Sequence, residues 1–322
     1  MSSPLTSANQ ISQSVIAPAS SHAQSINTLW WVMFSVATVV FVAVMIILFL
    51  SILRLKNKKP QHLSYNASRN LVLVAGVAIP FFTIAFLVGG SLLVGRSLTA
   101  APPDDALRIK VTGWMWWWEI EYLDAAGNAM AVTANELHVP VGRPVHLLLE
   151  SGDVIHSFWV PQLQGKTDMI PGRTNSSWFT VSKPGTFRGQ CAEFCGLQHA
   201  LMAFLVIAQP PEEFKAWLDH QKSDARPTVS DLDKRGKKVF FDNHCQDCHT
   251  IRGTAAAGTL GPDLTHIASR KTLAAVTRNN SRGHLAGWIS DPQNMKPGAK
   301  MPRTTMTSSS LTALVVYLES LK

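Results

Sequence analysis

QCAEFCGLQHALM, Gln190 to Met202, places two cysteines, a glutamate, a histidine and a methionine within thirteen residues. Thiolate, imidazole and thioether are the donors that select zinc, copper or iron over hard cations. The stretch offers Cys191, Cys195, His199 and Met202, and DVIHSFWVP supplies a second imidazole, His156, at the end of a strand-like run. Three sites compete for this set. A structural zinc site would take the two Cys and the two His, leaving Met202 and Glu193 idle. A mononuclear blue-copper site uses two His, one Cys and a distant Met, leaving one thiolate without a metal. Two thiolates bridging two copper ions, each copper with its own His, employ every donor. The weak axial positions then fall to the Met202 sulfur and the Glu193 main-chain oxygen.

The other two cysteines form a second motif, Cys245-Gln-Asp-Cys248-His249. Two thiols at this spacing can add to the vinyl groups of a haem, and the adjacent His can ligate iron from the same loop. A redox or zinc CxxC beside a chance His is the bland alternative. The helical texture on both sides and the lack of a second CxxC favour haem c. The sixth ligand is sought downstream in DPQNMKPGAKMPRTTM, where Met295, Met301 and Met306 are the candidates. Met301, followed by Pro, resembles the Met-Pro of small class I cytochromes c and is preferred on that resemblance.

Working outward, the chain divides into three blocks by charge. Residues 1–100 carry six Lys/Arg and no acid, residues 101–211 have a balance of −3, and residues 212–322 a balance of +5. Charge segregated in this way speaks for separate units and against one basic nucleic-acid surface, so no nucleic-acid partner is expected. Leu29–Leu53 and Leu71–Gly95 are uncharged runs of 25 residues each, long enough to cross a bilayer core. Pro80 is tolerable in a membrane helix. The basic residues Arg54, Lys56, Lys58, Lys59 and Arg69 between the runs put that loop in the cytoplasm and both termini outside. Segments such as RPVHLLLES, SSWFTVS and MAFLVIA read as strands of an antiparallel sandwich or barrel. PPEEFKAWLDHQ reads as a capping helix, and DLDKRGKKVFF and SSSLTALVVYLESL as amphipathic helices of a small all-α domain. The expected organisation is an external segment over 1–28, a transmembrane hairpin over 29–100, a β-domain over 101–222, a linker over 223–230 and a helical domain over 231–322. A flexible linker of that length has a root-mean-square reach of about 15 Å, which predicts transient docking of the last domain, steered by opposite charge.

CxExCxxxHxxM, preceded by D-V-x-H-S-F and accompanied by GWMWWWEIEY and LQGKTDMIPGRTN, closely resembles cytochrome c oxidase subunit II. With the appended CxxCH domain, the chain is similar to the fused subunit II of caa-type bacterial oxidases. The resemblance implies a membrane-anchored multidomain protein: a two-helix hairpin, a cupredoxin-like β-sandwich with dinuclear copper A, and a class I cytochrome c domain. His156, Cys191, Glu193, Cys195, His199 and Met202 would be the copper A ligands, on the loop between the last two strands. The Glu193 side chain would reach a magnesium or manganese ion shared with subunit I. Cys245, Cys248, His249 and Met301 would hold haem c, with the Pro262 carbonyl of Gly261-Pro262-Asp263-Leu264 fixing the His tautomer. Trp116 would be the electron-input residue over copper A, and Asp168 and Arg173 would lie near subunit I. The implied role is electron input to a respiratory terminal oxidase in the bacterial inner membrane, with the soluble domains on the periplasmic face. Subunit I, where dioxygen is reduced, subunit III, and a cytochrome c or similar donor are the implied partners.

Taken as residues alone, the run Trp114–Trp118 reads as an interfacial belt or packing surface. On a strand it would alternate, Trp114, Trp116 and Trp118 on one face and Trp117 opposite. Three positions depart from the family pattern: Leu73 stands where a helix-borne Glu is usual, Gly152 where an acid often precedes the DVIH aspartate, and the aromatic run is unusually dense. A nitrous oxide reductase-like enzyme would need a propeller repeat, which is absent. A membrane-bound copper chaperone or binding module is the rival from another class, and a covalent haem counts against it.

Overall fold

The computed structural model describes residue 11, residues 13–57 and residues 64–322. Residues 1–10 and 12 of the external segment and, from the basic loop, Lys58 and Lys59 lie outside the described residues. Two compact units are present, one of residues 24–101 and one of residues 1–23 with 102–322.

The first unit is helical. α1 (Ser21–Asn57) is continuous, whereas the second apolar run is built in three parts: α2 (Tyr65–Leu71), a π-helical segment (Val72–Ala78) and α3 (Ile79–Leu98). The expectation of a simple helix is therefore modified next to Pro80. Proline has no N–H to give to the turn behind it, and the helix widens just before it, the Ile79 N–H reaching back to the Val74 carbonyl. Both helices are long and apolar enough to cross a membrane.

In the β-domain of the second unit, ten strands among the described residues form two five-stranded sheets. β1 (Leu107–Trp114), β2 (Trp117–Leu123), β3 (Ala129–Ala134), β5 (Pro144–Ser151) and β8 (Asn175–Thr180) form one, in the order β3-β2-β1-β5-β8. β4 (Glu136–Pro140), β6 (His156–Trp159), β7 (Thr167–Met169), β9 (Gly185–Cys191) and β10 (Ala203–Gln209) form the other, in the order β4-β10-β9-β6-β7. Alternation explains the layers. In β5, Val145, Leu147 and Leu149 point inward and are fully buried, while His146 and Leu148 between them are less so. Trp118, Phe158 and Phe204 meet in the middle of the core, with ring centroids 4.6–6.0 Å apart. Removing any one of them would cost roughly 3–5 kcal/mol.

α4 (Pro211–Gln221) closes the sandwich by burying Phe214 and Leu218. The C-terminal domain is helical: α5 (Asp231–Asp242), α6 (Arg282–Ser290), α7 (Pro292–Met295) and α8 (Ser308–Ser320). A Ser230/Asp233 capping box starts α5, and Phe240 packs on Tyr317 of α8. The expected all-α domain also carries two short ribbons, Thr250–Ile251 with Ala256–Ala257 and Thr272–Leu273 with Arg278–Asn279.

Two expectations are corrected by this unit. Residues 223–230 have no helix or strand, but their first residues are tied down, so they are not a free tether. The Arg252 guanidinium holds the Gln221 and Ser223 carbonyls, the Ala225 N–H donates to Arg252 O, and His266 reaches Ser223 O. One charged nitrogen, Arg252 Nη2, bonded to the carbonyls of residues 221 and 223 straps the start of this segment down. The C-terminal domain, in turn, is seated on the sandwich through buried contacts, not only through long-range charge.

Candidate metal and haem centres

The eleven residues between β9 and β10 carry four of the six residues singled out for the first centre, and Cys191 closes β9 just before them. Their ends are fixed by the antiparallel pairing of β9 and β10 and by the Cys191 N–H bond to Met202 O at 2.9 Å. His156, the first residue of β6, enters from the neighbouring strand. The six groups converge. Cys191 Sγ lies 3.7 Å from Cys195 Sγ, far beyond the ~2.05 Å of a disulfide. Cys191 Sγ is 3.9 Å from His156 Nδ1 and 3.1 Å from the Glu193 carbonyl. Cys195 Sγ is 3.7 Å from both His199 Nδ1 and Met202 Sδ. Each sulfur thus has one imidazole beside it, and the two weak donors lie beside different sulfurs.

The electrostatics favour one deprotonated sulfur, that of Cys191. A hydrogen bond from Cys195 draws the Cys191 thiol well below its ordinary range, and the same contact pushes Cys195 up. Burial pulls the His156 ring down, but Cys191 and Asp153 outweigh it and leave it raised. The donor set suits soft metal ions.

Asp153 is a residue that sequence reasoning passed over. Its Oδ1 meets His156 Nε2 at 2.9 Å and accepts from Val154 N at 2.7 Å, and its Oδ2 accepts from Met115 N at 2.7 Å. A carboxylate on the distal nitrogen orients a ligand imidazole and raises its basicity. The signal was present in the D-V-x-H spacing.

The aromatic run is not a strand. β1 ends at Trp114 and β2 begins at Trp117, so Met115 and Trp116 form the reversal between them and Trp114 pairs with Trp117 across the hairpin. The alternation expected of a continuous strand is therefore overturned. Trp114 and Trp117 stack at 6.5 Å, Trp118 is buried, and Trp116 at the tip donates its indole N–H to Cys195 O at 2.8 Å. Gly152 has a reason in the same place: a Cβ there would fall inside the Trp114 ring.

The Glu193 side chain faces away from the sulfurs. It accepts from Phe194 N at 3.2 Å and lies 4.0 Å from Lys166, which also pairs with Asp168 at 2.7 Å. Arg173 sits in the turn after β7, its N–H bonded to Ile170 O.

In the C-terminal domain, Cys245 and Cys248 flank a single 3₁₀ turn, and the His249 N–H returns to Cys245 O at 3.0 Å. His249 Nδ1 lies 2.7 Å from the Pro262 carbonyl. A carbonyl can only accept, so Nδ1 carries the proton and Nε2 keeps its lone pair. Burial lowers the His249 ring below its ordinary value, which keeps it neutral. Gly261 makes room for it, since a Cβ would come 2.6 Å from the ring. A neutral, oriented imidazole beside two free thiols fits a covalently attached haem. Of the three methionines, Met306 packs against the domain core and the Met295 methyl lies beneath Gly287, whereas partly exposed Met301 stands outside that core.

A family profile described as cytochrome C oxidase subunit II, periplasmic domain, matches residues 121–209, and the cytochrome c profile matches residues 234–322. The chain is 36% identical over 253 residues to the cytochrome c oxidase subunit 2 of Alkalihalophilus pseudofirmus, covering 78% of this chain and 70% of that protein. The chain belongs to the cytochrome c oxidase subunit II family. To the cytochrome c oxidase subunit 2 of Bacillus subtilis this subunit II is 32% identical over 268 residues, covering 77% of this chain and 74% of that protein. The solved periplasmic domain of subunit II of cytochrome oxidase of Bradyrhizobium japonicum is 34% identical, covers 38% of this chain and 97% of that one, and has a TM-score of 0.36.

Proposed function

We propose that this subunit II takes electrons from a reduced cytochrome c or similar donor and delivers them to subunit I of a haem-copper terminal oxidase. Haem c and a dinuclear copper A, when bound, each supply reversible one-electron chemistry. His156, Cys191, Cys195, His199, Met202 and the Glu193 carbonyl hold the copper pair. The convergence of two sulfurs 3.7 Å apart, each with an imidazole beside it, is the observation that carries this reading. Cys245, Cys248, His249 and Met301 hold the haem.

The residues around these donors keep each site rigid. Asp153 holds the His156 ring and Pro262 the His249 ring, so neither imidazole has to reorient when charge changes. Trp118, Phe158 and Phe204 wall the copper loop with buried aromatic surface, which excludes water that would otherwise reorganise. Trp116, bonded to the carbonyl of Cys195, is the electron-input residue. The outward carboxylate of Glu193 binds magnesium or manganese at the contact with subunit I, displacing Lys166, and Asp168 and Arg173 lie along that contact. Subunit III completes the complex. The helical hairpin anchors the chain in the inner membrane, with the basic loop cytoplasmic and both soluble domains periplasmic.

The test is metal and haem content of the natively matured chain. Two copper ions and one covalent haem per chain, with one unpaired electron shared over both coppers, are expected. One zinc and no copper would overturn the reading.

A further inference from the structure

Beyond the Arg252 contact to Gln221, three contacts seat the C-terminal domain on the sandwich, and the first of them bears directly on the copper loop. The segment Lys296–Lys300, just before Met301, makes the first. Lys296 Nζ donates to the Trp116 carbonyl at 2.8 Å and to Ala274 O at 3.3 Å, Gln198 Nε2 donates to Pro297 O, and Lys300 reaches Asp153 at 3.3 Å. Trp116, Gln198 and Asp153 each stand one step from a proposed copper ligand: Trp116 bonds Cys195, Gln198 precedes His199, and Asp153 holds His156.

Glu136, at the start of β4, makes the second contact. It is 2% exposed, and its carboxylate accepts from Lys271 N at 3.1 Å, Thr272 N at 2.8 Å and Thr272 Oγ1 at 2.9 Å. The third is apolar: Val276 packs on Ala203, Leu205 and Ile207, the outward face of β10.

Between these contacts runs a strained turn. Ala274, Ala275 and Val276 have φ of 53°, 55° and 66°, a left-handed run that costs roughly 1–2 kcal/mol per residue without glycine. Such strain persists where surrounding contacts over-determine it. Lys296 is the group that joins this turn to the Trp116 hairpin. It is 3% exposed, and burial pushes its ammonium down to about 7.

We infer that Lys296 and Glu136 form a two-point lock that seats the C-terminal domain on the copper loop, and that Lys296 is a positioning residue for transfer between the two centres. The inference rests on the functional reading above. The transfer it serves moves one electron, the haem iron being oxidised as the copper pair is reduced, with no bond made and no proton moved by these residues.

The test uses the full chain loaded with haem and copper, unsubstituted and as Lys296→Met, Glu136→Gln and Lys300→Ala. Hydrogen exchange is followed at the Lys271 and Thr272 amides, and haem-to-copper transfer after flash reduction. Lys296→Met does not touch those amides, yet it should raise their exchange at least tenfold and slow transfer at least tenfold, with both spectra intact. Glu136→Gln, which touches those amides directly, is judged by transfer alone: it should slow transfer at least tenfold with both spectra intact, keeping the test independent of the tolerance of position 296. Lys300 is exposed, and Lys300→Ala should change either quantity less than about threefold, as for a surface pair. Unchanged amide exchange in Lys296→Met would overturn the lock. Released amides with an unchanged transfer rate would overturn the positioning role. An unsubstituted chain that holds both centres but passes no electron would overturn the functional reading instead, and the exchange arm would still judge the lock.

Discussion

The copper loop and the haem segment solve the same problem in opposite ways. In the first, the proposed donors on the loop span residues 191–202, hung between two paired strands, and their atoms already lie within about 4 Å of their neighbours. In the second, the proposed ligands run from Cys245 to Met301, and the structure fixes only the near side, where His249 is clamped by Pro262. A sheet can preset a cluster of side chains because its backbone bonds are made whether or not metal is present. A small helical domain would wrap its haem, and Met301, the proposed far ligand, is not held in place by contacts of that kind. The copper side should therefore respond to substitution through its scaffold, and the haem side through its individual ligand.

The largest effect should come from the centre of the copper loop. Cys195→Ser removes one of the two sulfurs between the imidazoles, and should abolish electron sharing between two coppers, leaving at most a mononuclear signal. The haem spectrum should be unchanged. A retained shared signal would show that the second thiolate is not a bridge, and the contrast between the two regions would lose its basis.

On the haem side the counterpart is Met301→Leu. A Met/His ligand pair raises a haem potential, so loss of the sulfur should lower it by roughly 0.1 V or more. The haem should remain attached through Cys245 and Cys248. If Met295→Leu gave this loss and Met301→Leu did not, the ligand assignment would pass to Met295.

Scaffold control of the copper side is measured by Asp153→Ala. Loss of a partner that orients a ligand imidazole typically weakens metal affinity ~10–100-fold, and copper retention against a chelator should fall by that factor. Haem content should not change. Full retention would show that β6 alone aligns His156.

The fold class was legible because each unit has its own periodicity: two uncharged runs, alternating short strands, and amphipathic helices. The donor clusters were legible too, because sulfur and imidazole at short spacing have few other uses. The geometry of Trp114–Trp118 was not, since a run of five bulky residues carries no turn residue to announce that Met115 and Trp116 reverse the chain. Nor was the seating of the last domain. It rests on a carboxylate, a lysine and a valine, Glu136, Lys296 and Val276, whose types are ordinary surface and core residues until the fold brings them together. The strap at the start of residues 223–230 escaped for the same reason: Arg252 is an unremarkable loop cation in sequence.

The smallest expected effect concerns the residue whose departure from the family pattern was visible but unexplained. Gly152 stands where an acid was expected, and in the structure the Trp114 ring fills the space of any side chain there. That ring cannot easily withdraw, because its indole N–H is bonded to Glu119 at 3.2 Å and its face is stacked on Trp117. The glycine and the dense aromatic run are then one adaptation, a ring occupying the place of the acid beside the docking face. Gly152→Ala should cost ~1–3 kcal/mol, the usual penalty of overpacking, read as a lower midpoint in denaturant. Both metal centres should still form, because neither ligand set touches this site. Pairing it with Trp114→Ala supplies the decisive comparison. Residues in direct contact show coupling of ~0.5–3 kcal/mol in a double-mutant cycle, so the double variant should be less destabilised than the sum of the singles. Additive losses would mean that the ring and the glycine are independent, and that the missing acid at this position has some other cause.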